Sequence, residues 1–368
     1  MKAVCSKENL LKGLNTVQSA VPVRTTLDIL KCILIRAEQE KLTLTANDTT
    51  LGIETSVDAL VFEDGVIALD AALFSSIIRK LPDSDVTIET GGADEVTISC
   101  EESKFSISGR DAESFIDLPN VSASAEVTVS QLTVREMINQ VIFSIAESNL
   151  NAAMAGVYLE VIDNKIRMTT LDGHRISVRV NELNDTYEKV SSIIPGKTMK
   201  DLSKIIAGER DRTMNILFSK NHIIFKYENT TVVSRVIEGE YFKIESMLRE
   251  EYETHVKINK KKLFESLDRS TLLINESDKK PVIMTIQDEI INLRLKSQLG
   301  SMNESIGIEK EGKDLKIAFN PKLLIDALRV IDDEEIDMYM VKYNYPCTIK
   351  DSAGSYTYVV LPVNFTEE

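Results

Sequence analysis

Asp172, Gly173, His174 and Arg175 stand in a row, and a carboxylate two residues from an imidazole is a pair that could move protons near neutral pH. A second candidate for chemistry is the run Asp332-Asp333-Glu334-Glu335, whose carboxylates could attract a divalent cation. Neither has the company that such chemistry needs. The chain has 3 His, no phosphate-cradling Gly-rich loop, no nucleophile elbow, no EF-hand spacing and no metal-ligand spacing that recurs with a partner. Cys5, Cys32, Cys100 and Cys347 lie far apart, with no CxxC pair and no nearby His, which predicts buried thiols instead of a zinc site or a disulfide framework. The expectation is a protein that is not an enzyme and has no cofactor and no metal site. Asp172-Gly173-His174 then reads as a turn, and the acidic run as a solvated turn after a helix.

The elements that must carry these residues belong to a chain of 368 residues, long enough for two or three domains. With 43% apolar and 27% charged residues, only 15 Gly and 8 Pro, the composition is that of folded protein. A formal charge of -15 excludes a protein that coats nucleic acid with its whole surface, so any DNA contact must be confined to one face. No uncharged apolar run approaches the roughly 20 residues of a membrane span, and the first residues, MKAVCSKENLLKGL, hold no long apolar stretch; a cytoplasmic protein is expected.

Internal repetition organises the rest. A helical stripe after Ser6 (Leu10, Leu14, Val17) leads to the strands Ile33-Leu34-Ile35 and Lys41–Thr45. After Ser130 the same order returns: Met137, Ile138, Val141, Ile142 and Ile145 at helical spacing, then GVYLEVI, a turn at Asp163-Asn164, and KIRMTTL. From Asn259 it returns again, with Leu263, Phe264 and Leu267 followed by PVIMTIQ, a turn near Asp288-Glu289, and INLRLKS. Each copy has a second half of strand, capped helix and paired strands. Asp70 and Asn320 are placed as N-caps, the latter with Pro321 at the first helical position. The expected buried faces are Leu73, Ile77 and Leu81; Leu202, Ile205 and Ile206; and Leu324, Leu328 and Ile331. Three α+β domains follow, over 1–122, 126–248 and 254–368, with junctions at Asn120–Glu126 and in the charged stretch Arg249–Thr254.

Across its whole length this organisation resembles the beta subunit of bacterial DNA polymerase III, the DNA sliding clamp family. The motifs that carry the resemblance are Arg24 before TLDIL, the segment LDGHRI from Leu171 to Ile176, IEGEYF from Ile237 to Phe242, and the terminal YVVLPV. It implies three repeated sliding-clamp domains, each of two helices packed on antiparallel sheets. Two chains would join head to tail into a pseudo-sixfold ring that encircles double-stranded DNA without reading its sequence. Such a homodimer would tether the DNA polymerase III catalytic subunit, the clamp loader and other proteins carrying a clamp-binding motif. The sequence departs from the family in RTTLDIL, in YF at Tyr241-Phe242, in Ser246 where a basic residue is often found, and in the ending NFTEE. The alternative weighed against the clamp is an adaptor with the same fold and no DNA encirclement.

Carried over motif by motif, the resemblance assigns a partner pocket to Met154, Leu171, Gly173, His174, Arg175 and Ile176, to Phe242 and Met247, and to Pro346, Val359, Val360, Leu361, Pro362 and Val363. YVVLPV is a continuous apolar run whose alternate residues cannot all enter one core, which leaves one face for a ligand. The DNA-facing candidates are Arg24, Arg79, Lys80, Arg135, Lys197, Lys200, Lys204, Lys260 and Lys261, suited to loose phosphate contact. For the dimer contact the resemblance points to Phe105 and Ile107 on the last strand of the first domain, opposite Leu272 and Leu273 in the third.

Overall fold

A computed structural model describes residues 1–92, 94–147, 151–209, 211–248, 251–275 and 280–365. Arg249 and Glu250, part of the expected charged junction, and the last three residues of the ending lie outside the described residues. The chain forms two compact units: Met1–Val134 with Asp201–Val236, and Arg135–Lys200 with the chain from Ile237.

In the first unit, helix α1 (Lys7–Val17) starts where the Ser6 hydroxyl accepts the Asn9 amide at 3.3 Å. It buries Leu10, Leu14 and Val17 on one face. Gly13 shares that face because a Cβ there would lie 2.7 Å from Leu44 Cδ1. Helix α2 (Ala71–Lys80) starts at Asp70, which accepts the Leu73 amide at 2.8 Å. The face it buries is Phe74, Ile77 and Ile78, and Leu73 points out at 48% exposure. Ile77 and Leu81 are buried as expected, and Phe74 takes the place given to Leu73. Helix α3 (Gln131–Val141), whose residues from Arg135 on belong to the second unit, stops short of Ile145, because the chain tightens into a 3-10 turn over Ile142–Ser144. Helix α4 (Gly196–Ile205), whose residues from Asp201 on belong to the first unit, precedes buried Ile206, with Met199 and Leu202 also buried.

Two antiparallel sheets complete this unit. The smaller runs in the order Leu60–Glu63, Lys2–Ser6, Asp85–Thr90, Glu95–Cys100, Ser103–Ser108. The larger has eight strands, and at its centre a strand of the first repeat, Leu51–Asp58, pairs with one of the second, Thr230–Arg235, in the register Thr230↔Thr55. The two threonine hydroxyls meet at 2.8 Å in a buried contact.

The second unit repeats the scheme. Helix α5 (Lys260–Thr271) is capped by Asn259 and helix α6 (Pro321–Val330) by Asn320, with Pro321 in the first turn. Leu263, Leu267, Leu324 and Leu328 meet a core that includes Met284, Phe319, Met338, Tyr358 and Val360. A four-stranded sheet (order Gly300–Gly307, Ile290–Ser297, Val282–Gln287, Leu315–Phe319) lies in this unit with a seven-stranded one. In the larger sheet Arg175–Pro195 of the second repeat pairs with Tyr356–Val360 of the third, Arg175 opposite Val360. The turn expected at Asp163-Asn164 falls inside Gly156–Leu171, assigned as one strand; there the register breaks on both sides of Asp163, whose φ is 53°.

All four cysteines are free and buried. Burial, with Asp85 and Asp58 nearby, pushes the Cys5 thiol up to about 11. The acidic run is divided among separate tasks: Asp333 accepts the Ser352 amide at 2.7 Å, the Glu334 carbonyl accepts the Lys260 amide at 2.8 Å, and Glu335 pairs with Lys257 at 2.9 Å. Among the described residues no group of three or more His, Cys, Asp or Glu is arranged to hold a metal ion.

Candidate functional site

The turn between Leu171 and Arg175 is built from its own side chains. Asp172 Oδ1 accepts the backbone amides of His174 at 2.9 Å and Arg175 at 3.2 Å, a tight loop that Gly173 permits with a φ of 89°. The second carboxylate oxygen of Asp172 takes Nε of Arg175 at 2.8 Å. Asp172 is therefore committed to Arg175 and to amides, and its bond with His174 is to the backbone, so the two do not form a proton-transfer pair.

Arg175 fixes the floor of this region. Its remaining nitrogens reach Asp326 of α6 at 2.7 Å and the Phe143 carbonyl at 2.7 Å, and its guanidinium lies 5.3 Å from the Phe143 ring centroid. Burial works against the charge. The hydrogen bond that Arg175 donates to Asp326, together with Tyr358 and Asp172, outweighs it and holds the Arg175 pKa above the usual arginine range.

Beside this turn lies a cavity of about 500 Å³. Leu171, Gly173, His174, Arg175 and Ile176 line it, together with Met154, Phe242, Met247, Pro346, Val359 and Leu361. Strand alternation decides which residues of the terminal run take part. Val359 faces the cavity, whereas Val360 is fully buried in the core on the opposite face. Pro362 and Val363 do not line it either: the Leu361 amide bonds the His174 carbonyl at 2.9 Å, and two residues on the Val363 amide bonds the Ala318 carbonyl at 2.8 Å, carrying the chain away.

One wall is aromatic. Tyr241 stacks on Tyr158 with centroids 4.8 Å apart, donates its hydroxyl to the Thr169 carbonyl, and meets Phe242 edge-on at 5.8 Å. Five lining residues lay outside the sequence reading, Glu251, Tyr339, Val341, Tyr345 and Thr348; a sixth, Ser246, figured there only as a departure from the family. For Tyr339 a signal existed. In Glu335–Met340 the buried residues are Ile336, Met338 and Met340, so alternation puts Tyr339 on the other face. The cavity's mouth keeps Met247 at 50% exposure and Leu361 at 43%. A concave, mostly apolar site with an exposed apolar rim can seat the side chains of a short peptide, and it assembles no nucleophile or acid–base pair.

The basic candidates are spread over bends and helices. Arg24, Lys80, Arg135, Lys197, Lys200 and Lys261 are exposed. Arg79 is held in α2 by bonds to Asn15 Oδ1 and Gln18 Oε1, and Lys204 by Asp201 at 2.9 Å. Lys260 is turned to the Ile331 carbonyl just beyond the end of α6, which makes it a helix-end partner and not a free phosphate ligand. Phe105 and Ile107 sit on Ser103–Ser108, an edge strand of the smaller sheet of the first unit, with Phe105 exposed and Ile107 half-buried. In the second unit Leu272 is 78% exposed just after α5, and Leu273 is half-buried.

Comparison with known proteins adds to this geometry. Residues 1–119, 128–243 and 245–364 match the N-terminal, central and C-terminal domain families of the DNA polymerase III beta subunit. A beta sliding clamp of Staphylococcus aureus is 30% identical over 374 residues, covering 99% of each chain. Among solved structures, a putative DNA polymerase III beta subunit from Eubacterium rectale superposes with a TM-score of 0.96 at 53% identity, over 99% of this chain and 100% of that one. The DNA polymerase sliding clamp of Bacillus subtilis does so with a TM-score of 0.95 at 27% identity, over 100% of both.

Proposed function

The chain belongs to the DNA polymerase III beta subunit family, and from that premise we propose how its surfaces serve a DNA sliding clamp. The protein is a processivity factor and not an enzyme: it encircles duplex DNA and holds the replicative polymerase on it. Its three clamp domains are taken as 1–122, 126–248 and 254–368. The ring is closed by two copies, the Phe105–Ile107 edge of one meeting Leu272 and Leu273 of the other; an apolar strand edge left open would invite aggregation, and a heterologous contact that closes gives a ring instead of a fibre. DNA is met loosely by Arg24, Arg79, Lys80, Arg135, Lys197, Lys200, Lys204 and Lys261, without base readout.

The apolar cavity carries the partner reading. Its lining suits a short linear motif in the polymerase catalytic subunit, the clamp loader and other replication and repair proteins. Replication places the protein with DNA in the cytoplasm, and no helix among the described residues is long and apolar enough to cross a membrane.

Loading on nicked circular DNA by a clamp loader tests the reading. Wild type is expected to stay on circles and to leave when they are linearised, and Leu273→Asp to fail to load. Retention that ignores DNA topology would replace the clamp with an adaptor.

A further inference from the structure

The charges that line the cavity are unequally paired. Among the described residues Arg175 is the one lining arginine, and that guanidinium is already shared by the carboxylates of Asp172 and Asp326. Glu251 is an exposed lining residue, and among the described residues it pairs with no cation. Behind the Tyr339 wall the His255 ring stacks on Tyr339 with centroids 4.7 Å apart, held by Asp337 at 2.7 Å and with Glu311 at 3.7 Å. Burial, then Asp337, Tyr252 and Glu311, raises the Tyr339 phenol. Cations on this side include Lys350, 5.7 Å from the Tyr339 ring centroid, Lys257, paired with Glu335 and close to Asp337, and exposed Lys342 in the turn that follows lining residue Val341. Among the described residues that line the cavity, the full charges are therefore Arg175, already shared by two carboxylates, and Glu251.

We propose that this cavity selects peptides in which a lysine or arginine flanks the apolar anchors, with Glu251 as the residue that reads the charge. The inference rests on the docking role given to the cavity and adds the chemistry of the occupant. Apolar contacts supply most of the binding, and the charge sets preference and encounter rate. Because Glu251 is exposed, the effect is modest and screened by salt.

The test uses two fluorescent peptides with the same core, Gly-Leu-Ser-Leu-Phe-Gly, flanked on both sides by Lys or by Glu. Anisotropy is read with the full-length protein, with Glu251→Lys, and with Glu38→Lys as a control for net charge in the other compact unit. The Lys peptide should bind wild type roughly two- to fivefold tighter at low salt, the preference should shrink in salt, and Glu251→Lys should remove or invert it while Glu38→Lys leaves it. Equal affinities for wild type, or a preference that Glu251→Lys and Glu38→Lys change alike, would overturn the charge reading while docking stands. If neither peptide binds wild type, docking itself falls and the inference with it.

Discussion

Two hairpin corners, one in each unit, are built alike and finished differently. At the first, Asp48 Oδ1 accepts the amides of Thr50 and Leu51, and the Thr50 carbonyl accepts the Arg235 amide at 2.9 Å. At the second, Asp172 does the same for His174 and Arg175, and the His174 carbonyl accepts the Leu361 amide at 2.9 Å. The next position separates them. At the first corner it is Gly52, where a Cβ would lie 2.1 Å from Leu118 Cδ2, and the Asn47 side-chain Nδ2 donates to the Ile116 carbonyl, so the chain over 115–118 packs down on the corner. At the second it is Ile176, the preceding residue is Arg175, and a cavity of about 500 Å³ lies beside them. One repeat unit can thus be a sealed joint or an open receptor, depending on the residue after the turn and the segment laid over it.

Substitutions should break this contrast in order of size. Arg175→Met strands two carboxylates around the open corner and should destabilise by about 3 kcal/mol, read by chemical denaturation. Gly52→Val forces Leu118 off the sealed corner and should destabilise by roughly 1–3 kcal/mol; an unchanged melting temperature would show that the seal is not tight. Leu361→Asp should weaken the apolar peptide at the open corner by roughly tenfold while barely moving the melting temperature, since this side chain is 43% exposed. Thr230→Val removes the buried hydroxyl pair of the sealed joint and should cost about 1 kcal/mol.

The smallest effect is in acid and belongs to the second unit. Arg269 and Ser266 hold the Glu304 carboxyl down to about 2 against an ordinary 4.5. A depressed carboxylate stabilises above its unfolded pKa, so this contribution should be full above about pH 4.5 and disappear as pH falls towards about 2. Glu304→Gln should flatten the stability profile in that window. Because Arg269 is exposed, solvent screening keeps the change small.

Much of this was legible in the residues. Ser6, Asp70, Asn259 and Asn320 mark helix starts because their side chains leave the same helix-start signature each time. The turn at Asp172-Gly173 was legible for similar reasons. Leu73 and Ile145 were misread because helical spacing continues through residues that tertiary packing turns outward or a 3-10 turn cuts off. Val360 and Val359 are neighbours of one type, and only the pairing of their strand shows which one faces the cavity. Glu251 and Tyr345 lie outside regular strands and helices, where periodicity gives no direction.

The shared sheet of the first unit also sets a schedule for synthesis. Thr55 and Thr230, partners across its centre, are 175 residues apart. At about 5–20 residues per second a ribosome needs roughly 9–35 s to deliver the second after the first. Through that interval Leu51–Asp58 can pair on one side only, with Lys41–Asn47, and its other edge is open. The growing chain therefore passes through a stage in which a central strand waits for sequence not yet translated.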